Sequence, residues 1–123
     1  MRRLLIVDDD PDIRAVARLS LELVSGWTVF EAESGNDAID QAATLLPDAI
    51  LLDVMMPGID GVETLRRLSH DRGTSHIPVI FLTAKAQTDD RRRLEATTAR
   101  GVLAKPFDPM TLAHDIEAIL GPS

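Results

Sequence analysis

The chain has 123 residues, 45% of them apolar and none of them cysteine. That is enough for one hydrophobic core, and it excludes a disulfide framework or a thiolate metal site. The formal charge of −7 excludes the basic face that a nucleic-acid partner requires and suits a small domain that stays dissolved and monomeric.

Leu4-Leu5-Ile6-Val7 is a short unbroken apolar run, the pattern of a strand buried on both faces of a parallel sheet. Asp8 ends it, far short of a signal peptide or a membrane span, so the expected location is the cytoplasm. Asp10-Pro11 reads as a helix start, with Asp10 as cap and Pro11 in the first turn. Ile13, Val16, Ala17, Leu21 and Val24 follow at helical spacing, and Gly26 ends that helix. Trp27 marks the corner before a second strand, Thr28 to Ala32. Ser34-Gly35 opens a helix with Ala38, Ile39, Ala42 and Leu46 on one face, and Pro47 stops it.

Ala49-Ile50-Leu51-Leu52 is a third strand. After Pro57-Gly58, Val62, Leu65 and Leu68 mark a short helix. Ile77 to Leu82 form a fourth strand, with Pro78 near its start, where a missing donor is tolerated. A helix over 90–99, a strand over 101–104 and a helix over 109–120 complete the series. Five strands alternating with five helices predict an α/β fold, a three-layer doubly wound parallel sheet with right-handed crossovers. No repeat or low-complexity segment interrupts it, so one domain over 1–123 is expected, with no output domain in this chain.

In open sheets of this kind, ligands bind beyond the carboxyl ends of the strands, where strand order reverses. Here strand one ends in Asp8-Asp9-Asp10, strand three in Asp53, strand four in Thr83 and strand five in Lys105. In the flavodoxin-like order 2-1-3-4-5, strands one and three are neighbours and their acids converge. Packed carboxylates raise one another's pKa unless a cation sits among them. Hard oxygen donors suit Mg²⁺, and Lys105 adds a positive charge for an anion such as phosphate. Each residue alone has a blander reading: Asp10 as a helix cap, Asp53 as a loop acid, Thr83 as a strand-end hydroxyl, Lys105 as a surface lysine. Their joint placement at four strand ends is what points to chemistry.

The runs Leu5-Ile6-Val7-Asp8-Asp9-Asp10, Leu51-Leu52-Asp53-Val54-Met55-Met56-Pro57-Gly58, Leu82-Thr83-Ala84 and Lys105-Pro106-Phe107 resemble the receiver domains of two-component response regulators, in the same order and over the whole chain. The resemblance implies that Asp53 accepts a phosphoryl group from a sensor histidine kinase or a histidine phosphotransfer protein. It implies Mg²⁺ held by Asp9 and Asp53, by Asp8 through water, and by the backbone carbonyl of Met55. Lys105, the Thr83 hydroxyl and the Ala84 amide would hold the phosphoryl oxygens. The output would be a change in the surface of the last two helices and the fifth strand, read by an unidentified protein target. No turnover enzyme, nucleic acid or membrane is implied, and the chain would be a monomer or a weak phosphorylation-dependent dimer. The same resemblance admits a cis Lys105–Pro106 bond.

Two positions depart from the family pattern. Val102 stands where an aromatic switch residue is common, and a β-branched side chain has few χ1 options. Thr98 stands where glycine often ends the fourth helix, so an altered helix end is expected. Met55 and Lys85, two residues beyond Asp53 and Thr83, imply a phosphoryl form of moderate lifetime. Arg91-Arg92-Arg93 is either a solvated face answering Asp89 and Asp90 or part of a partner surface. A phosphatase-like hydrolase would need a second acid at Met55, and a nucleotide-binding fold would need a glycine-rich loop after strand one. A non-phosphorylated interaction module of the same fold is the remaining alternative.

Overall fold

The computed structural model describes residues 2–84 and 88–121, with 88 and 89 described by backbone alone. The expectations for Met1, Lys85, the Asp89 side chain and the segment after Gly121 lie outside the described residues. The elements run β1 (Arg3–Val7), α1 (Pro11–Ser25), β2 (Thr28–Ala32), α2 (Gly35–Leu45), β3 (Ala49–Asp53), α3 (Gly61–His70), β4 (Val79–Thr83), α4 (Thr88–Glu95), β5 (Gly101–Ala104) and α5 (Leu112–Leu120). All four pairings are parallel and the strand order is β2-β1-β3-β4-β5. This is the doubly wound, flavodoxin-like sheet that the alternation of elements predicts.

Strand side chains alternate between the two faces. Leu5, Val7, Ile50, Leu52, Phe81 and Val102 pack with residues of α2, α3 and α4. Leu4, Ile6, Leu51, Ile80 and Leu82 pack with Ala17 and Leu21 of α1 and with Leu112 and Ile116 of α5. Both faces of β1, β3 and β4 are therefore dry, which explains why these strands read as unbroken apolar runs. Trp27 is buried at the α1–β2 corner, its backbone N–H donating to the Leu21 carbonyl, with the Arg2 guanidinium 5.9 Å from its ring centroid.

Asp10 caps α1 by accepting from the Asp12 N–H, and Ser34 caps α2 by accepting from Asp37. Gly26 takes the left-handed conformation that closes α1. Val16 and Val24 do not join the core face of α1. They are exposed, and with Leu19 and Leu23 they give this helix an apolar outer side. Leu46 also leaves its expected face: α2 stops at Leu45, and Leu46, ahead of Pro47, is a half-exposed left-handed cap.

Two helices differ from their predicted bounds for local reasons. α4 ends at Glu95, not near Ala99, because the Thr97 hydroxyl bonds the Leu94 carbonyl (2.5 Å) and accepts from the Ala99 N–H (3.2 Å). Such side-chain bonds compete with the helix ladder. α5 begins at Leu112, not Pro109, because Asp108 holds a turn by accepting from the Met110 and Thr111 N–H groups. The Ser20 hydroxyl bonds the Pro109 carbonyl and ties this turn to α1. β4 starts at Val79, one residue beyond Pro78, whose carbonyl still accepts from Ile50.

Candidate functional site

Four strand ends meet at the carboxyl edge of the sheet. Asp8 directly follows β1. It is fully buried, its N–H donates to the Ala32 carbonyl (3.1 Å), and its Oδ1 accepts from the Asp10 N–H (2.9 Å). Asp53 is the last residue of β3 and Thr83 the last of β4, both buried. Lys105 follows β5, with its N–H on the Thr83 carbonyl (2.9 Å) and a cis bond to Pro106. Its Nζ lies 2.7 Å from Asp8 Oδ2 and 3.2 Å from Asp53 Oδ1. The lysine thus bridges two buried carboxylates that neighbouring strands bring side by side. Asp8 Oδ2 accepts from this ammonium and keeps a second lone pair for a further partner.

Gly61 permits the close approach of α3 to the end of β3. A Cβ there would overlap the Asp53 carbonyl oxygen, a backbone atom that cannot swing aside. The Gly61 N–H closes the turn on the Val54 carbonyl (2.8 Å).

One ammonium does not neutralise this cluster. Burial pushes the Asp53 carboxyl up to about 6, and the Asp8 charge adds to the rise. Lys105 and a hydrogen bond from the Met55 backbone offset it only in part. Burial pulls the Lys105 ammonium down, but the hydrogen bond to Asp8 and the two carboxylate charges outweigh that and raise it. Asp8, Asp9 and Asp53 each offer an oxygen within 4.8 Å of the others. Donors on opposite sides of a bound Mg²⁺ stand about 4.2 Å apart, so small rotations would bring the three into its shell. The oxygen-only donor set, the spare acceptor on Asp8 and the unresolved repulsion all fit a hard divalent cation. Such an ion would supply charge neutralisation for carboxylates and for an anionic ligand.

The remaining expected residues are placed as follows. Ala84 is exposed just beyond Thr83. Met55 is 64% exposed, with its amide on Asp53. Val102 is buried in the core on the α4 side. A cavity of about 370 Å³ opens between α3 and α4 beside the site, lined by Val54, Met55, Val62, Thr83 and Leu94 among others. In the arginine run, Arg93 pairs with Asp90 (2.6 Å), and Arg91 lies 3.6 Å from Glu95.

Sequence reasoning misses Arg14. This α1 side chain reaches back to donate to the Asp8 carbonyl (2.7 Å) while its Nε meets Glu31 (3.1 Å) at the end of β2. The available signal is weak: an arginine one turn after a cap, and an acid on a neighbouring strand.

A parallel 2-1-3-4-5 sheet with buried acids on β1 and β3, a β4 hydroxyl and a β5 lysine defines a receiver-type signalling module. The family model of the response regulator receiver domain matches residues 4–117. The chain is 41% identical to Protein PilH of Pseudomonas aeruginosa, covering 98% of both chains. It is 39% identical to the phosphate regulon transcriptional regulatory protein PhoB of the same organism, over 97% of this chain and 52% of PhoB. Among solved structures, the chemotaxis response regulator CheY4 of Vibrio cholerae superposes with a TM-score of 0.89 at 29% identity, covering 97% of this chain and 98% of CheY4. This chain belongs to the response regulator receiver domain family of two-component signalling. Receiver domains are signalling domains and not turnover enzymes. Among the described residues, no helix is long and apolar enough to cross a membrane.

Proposed function

We propose that the chain acts as a single cytoplasmic receiver domain that takes a phosphoryl group onto Asp53 with Mg²⁺ bound. The observation that carries this reading is the convergence of Asp8, Asp9 and Asp53 within 4.8 Å, with Lys105 on two of the three. Asp9 and Asp53, with the Met55 carbonyl, would ligate the ion, and Asp8 would act through water. When bound, such an ion would supply positive charge beside Asp53, which favours its ionised form and the approach of an anionic donor.

An Asp53 carboxylate oxygen then attacks the phosphorus of a phosphohistidine on a kinase or phosphotransfer protein. The P–N bond breaks, and its electron pair leaves with the imidazole, which takes up a proton. Such transfer asks for in-line positioning and neutralised charge more than for covalent work by the protein. Lys105 moves from the free carboxylate to the phosphoryl oxygens, and the Thr83 hydroxyl and Ala84 amide bind the others. Met55, two residues beyond Asp53 and exposed, would hinder water and lengthen the life of the acyl phosphate. The donor docks on α1, whose Val16, Leu19 and Leu23 are exposed, and beside it on Met110, 72% exposed. With Val102 buried, the readout passes through Thr83 and α4 to the α4-β5-α5 surface, where a downstream protein binds.

The test is incubation with Mg²⁺ and a small acyl phosphate, followed by intact mass measurement. The expected result is a gain of one phosphoryl group that vanishes in Asp53→Asn and in a chelated sample. If no gain appears with acyl phosphates or with several kinases, and a stable phosphoryl mimic also fails to bind, the chain is an interaction module of the same fold.

A further inference from the structure

The side chain of Asp9 has the least support of the three acids. It is exposed, whereas Asp8 and Asp53 are buried on strand ends. Its direction therefore depends on the two peptide planes that flank it. The plane after it is held by the Asp10 N–H on Asp8 Oδ1 (2.9 Å). The plane before it carries the Asp8 carbonyl, and that oxygen is held by Arg14 Nη1 at 2.7 Å. Arg14 is itself fixed. Its side chain is 16% exposed, its Nε bonds Glu31 Oε1 at 3.1 Å, and its backbone N–H bonds the Asp10 carbonyl at 3.2 Å. Glu31 is anchored in turn, because Gln41 of α2 donates to its backbone carbonyl (2.8 Å). Glu31 also accepts from Arg18 (3.1 Å), an arginine one helical turn along whose Nε bonds Glu22 (3.3 Å).

We infer that Arg14 is a positioning residue for the divalent cation, orienting Asp9 through the Asp8–Asp9 peptide, with Glu31 setting the direction of its guanidinium. The inference rests on the Mg²⁺ reading above. A guanidinium suits this role because its planar fork serves the carbonyl and the carboxylate at once, which a lysine ammonium on a flexible stem does not reproduce. Its charge also stands on the cluster side of α1, where it opposes the repulsion among the three acids. Loss of such an outer partner commonly weakens metal binding by about 10–100-fold.

Mg²⁺ binding to the unphosphorylated full chain is measured by calorimetry, with thermal unfolding in chelator as a second readout. The expected pattern is a dissociation constant raised by about 10-fold in Arg14→Ala and by less in Arg14→Lys and Glu31→Gln. Arg18→Ala removes the other Glu31 ion pair, so it controls for a purely structural loss. It should lower the unfolding temperature in chelator by less than Arg14→Ala, since its side chain is 47% exposed against 16% for Arg14, and leave Mg²⁺ affinity within about 2-fold of wild type. Unchanged affinity in Arg14→Ala, or equal weakening in Arg18→Ala, overturns the inference. If Arg14→Ala does not fold, Arg14→Lys and Glu31→Gln decide in the same way. Absence of Mg²⁺ binding in the wild-type chain would instead sink the Mg²⁺ reading, and the inference with it.

Discussion

At the amino end of the sheet, Arg3 donates to the Leu45 and Leu46 carbonyls at the end of α2, while its backbone N–H meets Asp48 (2.7 Å). Arg2 donates to the Gly121 carbonyl at the end of α5 (2.5 Å). Cations there answer the negative ends of helices. At the carboxyl end of the same strands, Asp8 and Asp53 are buried side by side with one ammonium between them. The edge that supports the fold pairs its cations with carbonyls and acids of the chain, apart from the buried Arg2 Nε, which among the described residues has no hydrogen bond and only Glu117 at 3.9 Å. The carboxyl edge is left short of positive charge, which suits it to take up a cation from solution.

Removing one cation from each edge gives the sharpest contrast. Lys105→Ala leaves two buried carboxylates uncompensated, and breaking a buried ion pair from one side costs about 3–5 kcal/mol. Denaturant unfolding at neutral pH in chelator should show that loss, and saturating Mg²⁺ should restore part of it. A loss below about 1 kcal/mol, as for an exposed pair, would erase the difference between the edges.

Asp53→Asn should act in the opposite direction. Burial and the Asp8 charge push the carboxyl up to about 6 in the folded chain, against an ordinary value of 3.8. Between these values the folded state holds a proton that the unfolded state has released, so stability falls as pH rises from about 4 to about 6 and then levels. The penalty at neutral pH is on the order of 3 kcal/mol. Without metal, the Asn variant should be more stable than wild type by up to that amount at pH 7.5, with the gain gone near pH 4. A gain independent of pH would assign the effect to something other than the Asp53 charge.

Arg3→Ala is the smallest expected effect. The side chain is exposed and its bonds go to helix-end carbonyls that water can also reach. Loss of such a cap costs about 1 kcal/mol, with little pH dependence between 5 and 8 and no response to Mg²⁺.

The sheet and the residues at its carboxyl edge were legible because buried parallel strands are short apolar runs, and an Asp, Thr or Lys that ends such a run is conspicuous. Asp8, Asp53, Thr83 and Lys105 sit where the strand ends place them. Helix details were less legible. Helical spacing alone could not tell that Val16 and Val24 turn outward while Ala17 and Leu21 turn in. The end of α4 depends on one Thr97 hydroxyl, and the start of α5 on an Asp108 turn. Arg14 was hidden because its partner is a backbone carbonyl, which carries no mark in the sequence.

The single tryptophan of this chain lies at the amino edge, buried under Arg2 at the α1–β2 corner. A five-residue strand separates the two edges by about 16 Å. Its fluorescence therefore follows unfolding of the chain and is blind to direct quenching by an ion or phosphoryl group at the acid cluster. Unfolding can be tracked by emission while site occupancy is titrated by other means, with neither signal contaminating the other.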